Sequence, residues 1–250
     1  MSAESGKIYF ASDFHLGIPD HVQSLIREKR IIRWLESIEN DAQEIFLVGD
    51  LFDVWFEYKR AVPKGFVRLL GKIASLTDRG IPVHVFSGNH DTWMFGYLEQ
   101  ECGVKLYHAP IEREWNGKKF LIGHGDGVGP GDHGYKIIKS VFRNSFAQWL
   151  YARFHPNFGL GLAEYFSRKG YDKKETERAY TGDDKEFLVR YCNDVIRSKH
   201  YDYFVFGHRH LPLCKPIGNN STYINLGDWI QYNTFAVYDG TTCELKKFED

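Results

Sequence analysis

The sequence has few cysteines, no long apolar run and almost no net charge, and each shortage excludes a class of protein. Its four cysteines are widely spaced and form no C-x-x-C pair, so we expect free thiols in a reducing compartment. No stretch approaches the ~18 apolar residues of a membrane span. Residues 1–7 are polar and lack the apolar core of a secretory signal. We therefore expect a cytoplasmic protein, either soluble or peripheral on a membrane.

The charge balance gives no overall attraction to nucleic acid. The 32 basic and 33 acidic residues leave a formal net charge of -1, so we expect no nucleic-acid partner. A length of 250 residues with 43% hydrophobic content suits one large domain that carries an insertion. The 11 histidines exceed what pH tuning needs, so their positions are the first place to look for function.

Hydrophobic patterning predicts an α/β protein. The first half alternates short apolar strands with helical segments: strands at 8–11, 45–48 and 83–86, and helices at 22–38 and 67–76. The later part is rich in strands, with Asn116-Gly117 as a hairpin turn and Asp239-Gly240 as a second one. Its remaining strands are expected near 203–206, 223–226, 234–238 and 242–248. These elements predict a four-layer α/β/β/α sandwich of mixed sheets.

A helical insertion is predicted at about residues 129–200 of this single domain, which spans 1–250. Its pattern predicts one helix from Ile138 to Phe154, broken by Pro156, then helices near 160–166 and 184–198. The segment from Lys136 to Lys174 contains eight basic and only two acidic residues, and aromatic residues lie between the basic ones. Such a segment suits an anionic membrane surface and acyl chains. The alternative is an ordinary cap with a solvated basic face.

Five polar motifs each follow an apolar strand, at the sheet edge where α/β proteins place ligand sites. Each motif alone is also compatible with a turn or a helix N-cap, but five at strand ends indicate a shared metal site. The motifs are Asp13-Phe14-His15, Gly49-Asp50-Leu51-Phe52-Asp53, Gly88-Asn89-His90-Asp91, Gly123-His124-Gly125-Asp126 and Gly207-His208-Arg209-His210.

The donor chemistry of these motifs predicts two metal ions. Seven oxygen and nitrogen donors are available, which exceeds one tetrahedral site: Asp13, His15, Asp50, Asn89, His124, His208 and His210. Without thiolates, this set favours Mn²⁺, with Fe²⁺ or Zn²⁺ as alternatives, and its imidazoles disfavour Mg²⁺. Two ions ~3.5–4 Å apart clamp the attacking and leaving oxygens of an in-line displacement. The set therefore predicts hydrolysis of a phosphate ester or anhydride.

Taken together, the five motifs resemble the signature of the calcineurin-like metallophosphoesterases over about residues 8–210. The resemblance implies that one metal is bound by Asp13, His15 and His210, and the other by Asn89, His124 and His208. It further implies that Asp50 bridges both metals. By the same resemblance, His90 contacts the phosphate and stabilises or protonates the leaving oxygen, while Asp53 orients this histidine.

Within that family the chain looks most like the UDP-2,3-diacylglucosamine hydrolases of lipid A synthesis. The similar segments are residues 12–17, 49–55, 207–212 and 225–229, together with the helical insertion. This resemblance implies a lipid-linked nucleotide substrate, UMP and 2,3-diacylglucosamine 1-phosphate as products, and contact with the inner-membrane surface. Candidate substrate contacts are Asp126, Lys136, Arg143 and Arg209.

One position departs from the subgroup, because His90 stands where its proteobacterial members carry arginine. This departure leaves open a divergent branch that acts on another lipid or nucleotide. A nucleotide phosphodiesterase, a nuclease or a protein phosphatase of the same superfamily is a second alternative. A scaffold that has lost its metals is a third, and the seven retained donors argue against it.

Overall fold

The computed structural model describes residues 6–129, 133–174, 180, 182–218 and 220–249. The strands are β1 (Lys7–Ala11), β2 (Ala42–Val48), β3 (Val83–Phe86), β4 (Lys105–Tyr107), β5 (Ile111–Trp115), β6 (Lys118–Gly123), β7 (Tyr203–Phe206), β8 (Pro212–Ile217), β9 (Ser221–Leu226), β10 (Thr234–Tyr238) and β11 (Cys243–Lys247). The helices are α1 (His21–Ile38), α2 (Val67–Asp78), α3 (Tyr97–Cys102), α4 (His133–Arg143), α5 (Ser145–Tyr151), α6 (Pro156–Lys174) and α7 (Phe187–Ile196).

The strands form two mixed sheets, as the sequence predicts. The first has six strands in the order β11-β10-β1-β2-β3-β4, with β1 to β4 parallel and β10 and β11 antiparallel. The second has five strands in the order β5-β6-β7-β9-β8, with β6, β7 and β9 parallel. Its two edge strands are antiparallel to their neighbours: β5 pairs with β6, and β8 pairs with β9.

Three layers of apolar contact hold the sheets and helices together. Alternate residues of β1 show the arrangement, since Tyr9 packs in the cluster with the α1 and α2 side chains while Phe10 packs between the sheets. A third cluster joins Phe204 of β7 to Leu188 of α7 on the outer face of the second sheet. Both faces of each central strand are therefore buried, which confirms the predicted four-layer α/β/β/α order.

The structure corrects several predicted elements. The single helix predicted from Ile138 to Phe154 is wrong, because α4 ends at Arg143 and Asn144 starts α5. The Asn144 side chain accepts hydrogen bonds from two backbone N–H groups of α5, so it acts as an N-cap. Pro156 begins α6, a position where its missing N–H has no cost. Helix α3 and the short strands β4 and β8 were not predicted.

The free cysteines and the two hairpin turns agree with the sequence predictions. All four cysteines are free thiols, and three of them are buried: Cys102, Cys192 and Cys243. Within the part of the chain that the structure describes, no helix combines the length and the apolar character needed to cross a bilayer. The two predicted hairpin turns form, and Asn116 and Gly117 both have the positive φ that a type I′ turn requires.

The start of α2 depends on a carboxylate from α1. Residue Phe66 at its N-cap has a φ of 57° and supplies no capping side chain. Glu28 Oε1 instead accepts hydrogen bonds from the N–H groups of Arg68 at 3.0 Å and Leu69 at 3.1 Å. A buried negative charge at this end also complements the helix dipole.

Replacing Glu28 by alanine should lower the free energy of unfolding by about 1–3 kcal/mol, because the N–H groups of Arg68 and of the buried Leu69 lose their acceptor. Urea unfolding followed by circular dichroism measures this change. Glu36→Ala is the matched control on the exposed face of α1 and should change stability by less than about 0.5 kcal/mol. Equal effects of the two substitutions would contradict the capping role.

Candidate metal centre

The five sequence motifs meet where β1, β2, β3, β6 and β7 end. Three of these strands belong to the first sheet and two to the second, so the site lies across the edge of both. Backbone hydrogen bonds join the loops, since Asp13 N donates to Gly49 O at 3.0 Å and His15 N donates to Asp50 O at 2.9 Å. Gly207 N likewise donates to His124 O at 3.1 Å. The motifs therefore form one connected cluster.

A first group of donors consists of Asp13, His15 and His210, all buried. His15 Nε2 lies 3.2 Å from His210 Nε2 and 3.7 Å from Asp13 Oδ1. His210 Nε2 lies 3.4 Å from the same carboxylate oxygen. These three side chains thus point their donor atoms at one small volume.

A second group of donors consists of Asn89, His124 and His208. Asn89 Oδ1 lies 2.7 Å from His208 Nδ1 and 3.3 Å from His124 Nε2. Asp50 lies between the two groups, because its Oδ2 is 3.2 Å from His124 Nε2 and 3.6 Å from His15 Nε2. This carboxylate is 1% exposed and lies within reach of both sets.

These separations fit bound metal ions. An ion with ligands at about 2.0–2.2 Å holds neighbouring ligand atoms roughly 3.0–3.5 Å apart. The measured separations within the two groups are 2.7–3.7 Å, and direct hydrogen bonding cannot satisfy every pair of imidazole nitrogens at once. The donors therefore form two metal-sized clusters that share Asp50.

The backbone at this site is in an uncommon conformation. Of the eight non-glycine residues with positive φ in the described ranges, five are predicted metal ligands: Asp13, His15, Asp50, His208 and His210. Each such residue costs about 1–3 kcal/mol, and such conformations cluster at functional sites. The hydrogen bonds between the loops hold these conformations in place, as where His208 N donates to Asp13 Oδ2 at 3.0 Å.

Two glycines in the motifs make room for the carboxylates. A Cβ at Gly207 would lie 2.5 Å from Asp13 Oδ2, and a Cβ at Gly88 would collide with Asp50 Oδ1. Neither glycine has a positive φ, so the reason for glycine here is close approach. The glycines of these motifs therefore set the distance between loop and carboxylate.

The electrostatics of the cluster follow from burial and opposite charge. Burial would raise the pKa of Asp50, but the neighbouring His124 and His90 outweigh it and hold that pKa well below its usual value. Burial would lower the pKa of His15, but hydrogen bonds to Asp13 and Asp53 raise it to about 10. Burial would also lower the pKa of His124, but the negative charge of Asp50 raises it to about 10. Without metal, protons on these two rings balance the buried carboxylates.

Beside the first donor group, Asp53 and His90 form a second polar unit. His90 Nδ1 lies 3.3 Å from Asp53 Oδ1 and 3.1 Å from the Asp53 carbonyl oxygen. Asp53 also contacts His15 Nδ1 at 3.4 Å, and Ser167 of α6 donates to Asp53 Oδ2 at 2.7 Å. Asp53 therefore contacts the His90 ring through both its carboxylate and its backbone carbonyl.

The four predicted substrate contacts lie in different surroundings. Asp126 accepts a hydrogen bond from Lys139 Nζ at 2.5 Å, and Arg143 donates to the His108 carbonyl oxygen at 2.7 Å. These four residues line one cavity next to His124. Lys136 Nζ reaches the Gly129 carbonyl oxygen at 2.5 Å. Arg209 forms a two-point ion pair with the buried carboxylate of Glu186, with distances of 2.9 and 2.8 Å. Arg209 thus anchors the His208–His210 loop to α7.

Two supporting carboxylates were not predicted from the sequence. Asp228, which is fully buried, brings Oδ2 to 3.2 Å from His210 Nδ1, and its Oδ1 accepts the N–H groups of residues 230–232. Asp91 accepts from the N–H groups of Leu51 and Gly88, joining the second and third motifs. Burial raises the Asp91 pKa to about 7. Asp91 stands inside the third motif, and Asp228 stands in the similar segment 225–229, so both had a sequence signal although neither was assigned a role.

Comparison with known proteins identifies a matching family model and similar proteins. The family model described as calcineurin-like phosphoesterase matches residues 6–212. A protein of Porphyromonas gingivalis named UDP-2,3-diacylglucosamine hydrolase is 40% identical and covers 98% of both chains. A protein of the same name from Shewanella pealeana is 25% identical over 94% of this chain and 95% of its own. A solved phosphoesterase from E. coli covers 96% of this chain and 92% of its own, at 14% identity and a TM-score of 0.49.

Metal uptake should release protons and strengthen as the pH rises. His15 and His124 have pKa values of about 10 without metal, so both carry protons at pH 7 that a ligand nitrogen must lose. Each site should therefore gain about tenfold in affinity per pH unit between pH 6 and 9. Calorimetric Mn²⁺ titrations in buffers of different ionisation enthalpy count the protons released. His15→Asn should lower that count by about one, and a pH-independent affinity would contradict this account.

Asp228→Asn should weaken metal binding by about 10- to 100-fold, because His210 loses the carboxylate that orients its ring. The asparagine oxygen can still accept the N–H groups of residues 230–232, so the loop should keep its shape. Metal titration measures the loss of metal affinity, and the thermal midpoint of the metal-free protein measures any loss of stability. Asp239→Asn, in the β10–β11 turn, is the control. A large loss of metal-free stability without loss of metal affinity would contradict the positioning role.

Proposed function

This chain belongs to the calcineurin-like phosphoesterase family, and we propose that it hydrolyses the pyrophosphate of UDP-2,3-diacylglucosamine to UMP and 2,3-diacylglucosamine 1-phosphate. The single observation that supports the reaction type best is the convergence of seven donors on two clusters that share Asp50. The substrate is inferred from the relative that is 40% identical over nearly the whole of both chains.

We assign the two clusters to two divalent ions, with Mn²⁺ preferred over Fe²⁺ and Zn²⁺. Asp13, His15 and His210 would hold one, and the Asn89 cluster would hold the other. Asp50 would contact both. Such a pair of ions stabilises negative charge on a phosphoryl group and activates water for in-line attack.

In this proposal His90 stabilises or protonates the oxygen of the leaving group. The contacts of its Nδ1 with Asp53 leave Nε2 as the nitrogen that faces substrate, where it donates a hydrogen bond or a proton to the departing oxygen. Asp53 is 3% exposed and holds the ring in this orientation, and Ser167 holds the second oxygen of Asp53. A donor fixed before reaction stabilises developing charge without having to reorganise.

The surface of α4 to α6 supports a lipid substrate. Large apolar side chains there are unusually exposed: Val141, Phe142, Phe146, Trp149, Leu150, Phe154, Phe158, Tyr165 and Phe166. The Arg153 guanidinium lies 4.6 Å from the centre of the Trp149 ring, so a cation lies against an aromatic ring on this surface. Exposed apolar area of this kind marks a site for acyl chains or a membrane surface. We propose that these helices receive the acylated sugar.

The test is release of UMP from UDP-2,3-diacylglucosamine by the Mn²⁺-loaded protein, with bis(p-nitrophenyl) phosphate as a generic substrate. Asp50→Asn should lower both rates by about 10³-fold or more, because both ions lose a shared ligand. Asp78→Asn, at the exposed end of α2, is the matched control and should keep full activity. Chelation should abolish both activities, and added Mn²⁺ should restore them.

Turnover of the generic diester alone would discard the lipid substrate and keep the two-metal chemistry. That result would favour the divergent branch in which His90 replaces arginine. Failure to bind Mn²⁺, Fe²⁺ or Zn²⁺ at all would instead favour a scaffold. DNA binding with a steep salt dependence would favour a nuclease.

A further inference from the structure

A cavity of about 180 Å³ adjoins the proposed metal centre. Its wall includes Ser87, His108, Pro110, His124, Lys139 and Arg143. Since His124 belongs to the second donor group, an occupant of this cavity would reach directly to a phosphate at that centre. Pockets that enclose a drug-sized ligand have volumes of about 300–1,000 Å³, so this cavity suits one end of a substrate.

Helix α4 separates this cavity from the aromatic surface. The Phe142 ring lies 4.9 Å from the Trp93 ring, and its carbonyl oxygen accepts from Trp93 Nε1 at 2.9 Å. The next residue, Arg143, donates instead to the His108 carbonyl oxygen at the cavity. Consecutive residues of α4 therefore contact two chemically different sides of the site.

The cavity wall carries several polar side chains, whereas the surface on the Phe142 side of α4 is aromatic. Ser87 Oγ lies 2.9 Å from His108 Nδ1. Burial and the nearby Arg143 charge lower the pKa of His108, so its neutral ring offers both a donor and an acceptor. Lys139 pairs with Asp126, whereas Arg143 contacts a neutral carbonyl and adds positive charge. Acyl chains would displace water from these polar groups without replacing its hydrogen bonds, at a cost in free energy.

We propose, resting on the proposed function, that this cavity binds the nucleoside half of the substrate. The ribose hydroxyls and the carbonyl and N–H groups of the base match the hydroxyl, imidazole and guanidinium groups of Ser87, His108 and Arg143. The diphosphate would lie at the metal centre, next to His124. Helix α4 would then sort the two ends of the substrate, with the nucleoside on one side and the acylated sugar on the other.

The experiment compares two inhibitors of bis(p-nitrophenyl) phosphate hydrolysis by the full Mn²⁺-loaded chain. UMP can use the metal centre and the cavity, whereas inorganic phosphate can use the metal centre alone. Ser87→Ala and Arg143→Gln should each raise the inhibition constant of UMP about tenfold and leave that of phosphate unchanged. Arg197→Gln, whose side chain is 80% exposed at the end of α7, is the control and should change neither constant.

Unchanged inhibition by UMP in both variants, or no inhibition of the wild type by UMP, would overturn the assignment. Equal losses for UMP and phosphate would overturn it too, because they would show damage to the metal centre. Hydrolysis of UDP-2,3-diacylglucosamine is measured alongside. If it persists while the UMP effect is missing, the proposed function stands without this subsite. If it is absent while the UMP effect is present, the cavity binds the nucleoside of a different substrate.

Discussion

The buried carboxylate of Asp50 is the constraint on which the rest of the site depends. It is 1% exposed, and a negative charge in that position is stable only with opposite charge and hydrogen bonds around it. His124 and His15 approach one oxygen, and the His90 N–H donates to the other at 2.8 Å. Because these partners come from both sheets, the charge of Asp50 requires the sheets to meet at this edge. Gly88 must also remain without a side chain.

Much of this arrangement could be predicted from the sequence, because its causes are local. Strands buried on both faces read as short apolar runs, and the polar residues that follow must then lie at their ends. Phe10 and Tyr9 show why, since each faces a different apolar layer. The grouping of the donor residues could be predicted as well, because each motif follows a strand end. The residue types of these donors indicate which metals they would bind.

The remaining features depend on contacts between distant segments. Asp228 lies 18 residues from His210, and the antiparallel pairing of β8 with β9, in which Pro212 lies opposite Leu226, brings them together. The break at Asn144 could not be found from periodicity, since the apolar spacing continues through α4 and α5 while one side chain caps the second helix. The ion pair between Arg209 and Glu186 likewise joins segments that are 23 residues apart. Spacing within a motif does not define such contacts between segments.

The site also explains where specificity can vary within such a fold. The metal donors are fixed by two sheets, three apolar layers and several strained loops, so a change there would disturb the whole cluster. Helices α4 to α6 contact the core through side chains such as those of the Trp93–Phe142 pair and the Ser167–Asp53 hydrogen bond. Their exposed side chains can therefore change without moving Asp50. His90 lies between these two regions, since Asp50 binds its backbone and Ser167 lies 3.3 Å from its ring. A substitution at position 90 would therefore act on both sides, because it changes a ring that contacts α6 and a backbone segment that binds Asp50.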